Sequence, residues 1–194
     1  YAYGGSASIG YKFDLIKPTV HRGQTYESGY YNSYYSTYRP KLKQTVSVTP
    51  FIGYGWDEQY YEDSEAVQII PPTGPFAFTG VNKEYWAQWY GPFVGLEATF
   101  QGQKSGLSIR GEYHDLTFDG EANWPLRDDF AQDPSFIHEA DGDGVLLNAQ
   151  YNYKLGGNYS FILEAIYESR QAEDGIDRTF FSDNTSSTIK LKEV

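Results

Sequence analysis

Residues Val81 to Phe118 read VNKEYWAQWYGPFVGLEATFQGQKSGLSIRGEYHDLTF, and this stretch decides the fold. Trp86, Tyr90, Pro92, Val94, Leu96, Ala98 and Phe100 fall on one side of a period-two pattern. Lys83, Tyr85, Trp89, Gly91, Phe93, Gly95, Glu97, Thr99 and Gln101 fall on the other. Successive side chains of a strand point to opposite faces, so one face is apolar throughout and the other mixed. The segment Gly102-Gln103-Lys104-Ser105-Gly106 is a turn, after which Leu107, Ile109, Gly111 and Tyr113 alternate with Ser108, Arg110, Glu112 and His114. Two antiparallel strands follow, with their charged residues on a shared face.

The unit recurs. Val145, Leu147, Ala149, Tyr151 and Tyr153 alternate with Leu146, Asn148, Gln150, Asn152 and Lys154; Gly156-Gly157-Asn158 turns the chain, and Tyr159, Phe161, Leu163, Ala165 and Tyr167 return opposite Ser160, Ile162, Glu164, Ile166, Glu168 and Arg170. Upstream, Val46 to Trp56 and Tyr3 to Phe13 alternate in the same way. Two weaker segments, Gln24 to Tyr38 with its six Tyr residues and Thr188 to Val194, complete a meander. The expectation is one domain over residues 1–194: an all-β, antiparallel up-and-down transmembrane β-barrel of about eight strands, or ten if strands are missing from the chain. Short turns at one end and long polar connections at the other match that architecture.

Composition narrows the class. The chain has 19 Tyr, 12 Phe, 4 Trp and 20 Gly, no Cys, and a net charge of −11. Without Cys there is no disulfide framework, thiolate metal site or thiol nucleophile. The acidic balance excludes sequence-independent nucleic-acid binding, so no nucleic-acid partner is expected. On the outward faces, Trp56, Trp86, Tyr113 and Tyr167 sit towards one end and Phe100, Tyr151, Tyr153 and Tyr159 towards the other, with an aliphatic belt between them. Aromatic rings favour the headgroup level of a bilayer, whereas a soluble core has no cause to sort them this way. The expected location is the bacterial outer membrane, with its lipid as the first partner.

The inward-facing charges form a lumen polar network of Glu97, Arg110, Glu112, His114, Glu164 and Arg170, in company with Asp57, Lys83, Lys154 and Glu168. In a narrow barrel such groups pair into a hydrogen-bonded plug. In a wider one they line a conduit whose selectivity they set. Asp115 faces away from His114 in a strand, so the two do not form an acid-base pair, and no catalytic residue is expected. From Asp119 to Asp143 there are eight acids against one base, Arg127, read as an acidic loop. Within it Glu139, Asp141 and Asp143 resemble the start of a calcium loop, but Gln150 stands where the terminal Glu belongs. An EF-hand is rejected; a looser calcium site and plain solvated charge remain as readings, the loop doubling as a surface for a protein partner.

Pro50-Phe51-Ile52-Gly53-Tyr54-Gly55-Trp56, Gly91-Pro92-Phe93-Val94-Gly95-Leu96 with Gly106-Leu107, and Leu147-Asn148-Ala149-Gln150-Tyr151 resemble bacterial outer-membrane β-barrels. In order of strands and loops the chain is similar to the omptins, outer-membrane aspartyl-type proteases. That resemblance implies ten strands and, at the extracellular rim, a facing Asp pair and an Asp-His pair that activate water. His114-Asp115-Leu116-Thr117-Phe118-Asp119-Gly120-Glu121 contains no Asp-x-His arrangement, and no paired acidic motif precedes Val46. The functional expectation is therefore a non-enzymatic membrane anchor or partner-binding scaffold, a component of a surface complex; the alternatives are a small pore and an omptin-like hydrolase.

Overall fold

The computed structural model describes residues 1–16, 44–68, 76–125 and 127–191. Among these there is no helix. The strands are β1 (Ala2–Gly10), β2 (Phe13–Ile16), β3 (Thr45–Gln68), β4 (Phe76–Gln101), β5 (Ser105–Asn123), β6 (Phe136–Gly156), β7 (Tyr159–Phe180) and β8 (Ser186–Lys190). They form one antiparallel up-and-down sheet in the order β1-β3-β4-β5-β6-β7-β8, with β2 paired to β3. β1 pairs with Phe51–Gln59 of β3 and β2 with Val46–Val48 further down the same edge, so the two share one place in the sheet. The eight strands thus make seven staves.

The alternation at Trp86 to Phe100 appears as two chemically distinct faces. Ile52, Val94, Leu96 and Leu147 are each at least half exposed on one face, while Phe51 and Phe93 on the other are 7% and 2% exposed. The buried face is concave: Arg170 on β7 donates to Asp57 on β3 at 3.3 Å, although three staves separate those strands along the sheet. Among the described residues no ladder joins β1 to β7 or β8.

Turns predicted at 102–106 and 156–158 fall between β4 and β5 and between β6 and β7. The predicted acidic loop requires correction. β5 runs on to Asn123 and β6 begins at Phe136, so most of the acids between Asp119 and Asp143 lie on paired strands, with Asp115 opposite Asp143 and Asp119 opposite Glu139. The connection after Trp56 shrinks likewise, because β3 continues to Gln68 and β4 starts at Phe76. What remains between β5 and β6 is a folded cap. Phe130 packs against Phe136 and Phe181, and Ser135, fully buried, accepts from the Trp124 amide at 2.9 Å and donates to the Ala131 carbonyl at 2.7 Å. The predicted Tyr-rich strand Gln24 to Tyr38 lies outside the described residues, and the predicted terminal strand Thr188 to Val194 overlaps β8 from Thr188 to Lys190, its last three residues lying outside the described ones.

Candidate functional site

The concave face divides into a packed half and an open half. On β3–β5, Gly95 stands opposite Phe51, and Gly53 opposite Phe93. The two rings meet edge to face at 6.2 Å. Arg110 lays its guanidinium 4.1 Å over the Phe51 ring and is ion-paired to Glu112, with Glu97 at 4.0 Å. Glu112 also contacts His114 Nε2 at 2.8 Å, and the His114 ring lies 4.7 Å from Phe93. Thr99 and Ser108 hydroxyls donate to Glu97 at 3.2 and 3.3 Å. Each charge therefore has a partner, as groups withdrawn from water require.

The β6–β7 half is polar but unfilled. Asn148 donates to Glu164 at 2.8 Å, and Arg170 holds Glu168 with its Nε at 2.6 Å while reaching across to Asp57. Ile162 and Ile166, on the same face as Glu164, are 63% and 64% exposed. Between the halves lies a cavity of about 380 Å³ whose charged lining is Asp57, Glu112, His114, Glu168 and Arg170, with Trp89 beside them and the small residues Gly4 to Ser6 of β1 opposite.

The predicted network thus falls into two groups. Glu97, Arg110, Glu112 and His114 touch directly; Glu164 and Arg170 belong to the other wall, where the cavity brings Arg170 towards Glu112. Asp115 pairs across the strand with Asp143 on the convex side, apart from His114. Glu139, Asp141 and Asp143 follow one another along β6 at alternate positions, Asp143 accepting from Gln171 at 2.8 Å. Among the described residues there is no group of three His, Cys, Asp or Glu placed to hold a metal ion. Trp56, Phe100, Tyr113, Tyr151, Tyr153, Tyr159 and Tyr167 are exposed, and Trp86 is half-buried. Sequence reasoning missed the Asp57–Arg170 bridge, which joins residues 113 apart and depends on sheet curvature that no local pattern records.

Residues 6–194 match the model of the family Pom, Protochlamydia outer membrane protein. No curated protein and no solved structure matches the chain.

Proposed function

The chain belongs to the Protochlamydia outer membrane protein family and is a bacterial outer-membrane protein, and from that premise we propose that its curled sheet forms the wall of a narrow, polar-lined pore. The carrying observation is the open half of the concave face. A plugged barrel would bury its inward residues, yet burial here is concentrated around Phe51, Phe93 and Leu116, while among the described residues the inner face of β7 from Ser160 to Arg170 stays exposed beside a charged cavity. Pore-lining acids and bases set which ions pass. The apolar convex face supplies the lipid contact, and its exposed aromatic residues are read as two interfacial rows.

The anchor and scaffold reading is favoured by a different feature. β3 and β4 contain 24 and 26 residues, whereas a tilted strand crosses a bilayer in about 9–11. The surplus, with its acids and its aromatic cap, is a platform for a partner. No hydrolytic role is proposed, because among the described residues His114 is engaged with Glu112, and the other acids of the cavity, Asp57 and Glu168, are held by Arg170.

Planar-bilayer recording on the purified outer-membrane protein separates the two. Steady unitary conductance is the expected result. A silent bilayer, from protein that still runs as a folded band in unboiled SDS samples, would leave the anchor as the function.

A further inference from the structure

Arg170 is gripped unequally by two carboxylates. On its own strand, β7, it donates from Nε to Glu168 at 2.6 Å, and a second guanidinium nitrogen, Nη2, is ion-paired to the same carboxylate. Towards β3 it offers Nη1 alone, to Asp57 at 3.3 Å. Two short charged contacts outweigh one that lies beyond the usual N–H···O range of about 2.7–3.2 Å. The guanidinium therefore belongs to β7, and its reach to Asp57 is the part that can let go.

That reach crosses the interior. β4, β5 and β6 lie between the two strands along the sheet, and both residues line the cavity of about 380 Å³. Their side chains are 29% and 28% exposed, so water and dissolved ions have access to the bridge, and salt weakens it. Each end also has room to move. Gly4 stands opposite Asp57 in the β1–β3 ladder, and Gly144 stands opposite Arg170 in the β6–β7 ladder. A Cβ at Gly4 would lie 3.1 Å from Asp57 Oδ2, and one at Gly144 would lie 3.4 Å from Arg170 Cγ. The third acid of the cavity, Glu112, is engaged with Arg110 and His114.

We propose that Arg170 is a movable bar across the conduit, and that its position sets how much passes and of which charge. Bridged to Asp57, it narrows the cavity and places a positive charge in the path. Released, it lies back along Glu168 and leaves Asp57 as an uncompensated carboxylate for a passing inorganic cation. The inference rests on the reading of the chain as a pore and names the residue that regulates it. An exposed ion pair favours its closed arrangement by a factor of only about 1.4 to 5, so both positions are populated.

Planar-bilayer recording in potassium chloride tests it, on the intact outer-membrane protein and on variants that run as folded bands in unboiled SDS samples. The unaltered protein should switch between a lower and a higher conductance level, the higher gaining occupancy as salt is raised. Asp57→Asn keeps the size of the side chain and removes its charge; it should raise the ratio of higher to lower level by about 1.4- to 5-fold at low salt and abolish its salt dependence. Arg170→Ala should show the higher level alone. Because both residues act through one contact, adding Asp57→Asn to Arg170→Ala should leave the occupancies where they are. Conduction whose occupancies ignore Asp57→Asn overturns the bar and leaves the pore standing. Silence in the unaltered protein and in every folded variant overturns the pore and the bar with it.

Discussion

Gly95 and Gly53 leave room for the aromatic pair. A Cβ at Gly95 would sit 2.2 Å from Phe51 Cζ, and one at Gly53 would sit 2.3 Å from Phe93 Cζ and 2.5 Å from the Ala7 carbonyl. Gly95→Val should therefore cost at least the roughly 1–3 kcal/mol typical of overpacking and deplete the folded band in unboiled SDS samples. Gly111→Ala is the control: its nearest foreign atom, Leu147 Cδ2, is at 3.4 Å, and the band should persist. A second prediction concerns the β7–β8 turn. The Thr185 hydroxyl and amide donate to Asp183 at 2.6 and 2.9 Å and hold its carboxyl below the ordinary range. A carboxylate with a depressed folded pKa adds stability above its unfolded pKa and loses it as pH falls through the folded value, here below about pH 4. Thr185→Val removes the hydroxyl donor, so the Asp183 carboxyl should titrate at higher pH by carbon-13 NMR; an unmoved titration would show that the hydroxyl is not what depresses it.

At the scale of the strand, alternation was readable where the two faces meet different surroundings. Trp86 to Phe100 alternates cleanly because one side is the exposed apolar face, which we read as facing lipid, and the other turns to the interior. Beyond Tyr113 the outward positions of β5 become Asp115, Thr117, Asp119 and Glu121, and those of β6 nearest them are Glu139, Asp141 and Asp143. With polar residues on both sides the apolar signal disappears, and paired strand looks like acidic loop. Backbone pairing carries the sheet through this stretch in spite of its side chains. Like charges directly opposite on a ladder are destabilising, so Asp143→Asn, which relieves Asp115 and keeps an acceptor for Gln171, should raise the temperature at which the folded band is lost. An unchanged or lower temperature would show that solvent already screens the pair. The inner network was half legible for a related reason: Arg110, Glu112 and His114 share one strand face and so declare themselves, whereas Arg170 meets Asp57 only after the sheet has curled.

For the molecule as a whole, the net charge of −11 includes the cavity, where Asp57, Glu112 and Glu168 outnumber Arg170. The conducting form should favour cations in a salt-gradient reversal-potential measurement, and Glu112→Gln should weaken that preference; anion preference in the unaltered protein would contradict the assignment of the cavity as the selective region. Nearly every ladder joins strands consecutive along the chain. Each hairpin can therefore add to the one before it at small loop-closure cost, and order can spread from stave to stave like a zip. A seam that closed this sheet into a ring would draw together ends far apart in sequence, and the entropy of closure would fall on that single event. Until it happens the growing sheet has two adhesive rims, each a template for any passing strand. For a sheet that must close, biogenesis would thus be a race between ring closure and capture by a stranger, and shielding of those rims would set the yield of native protein.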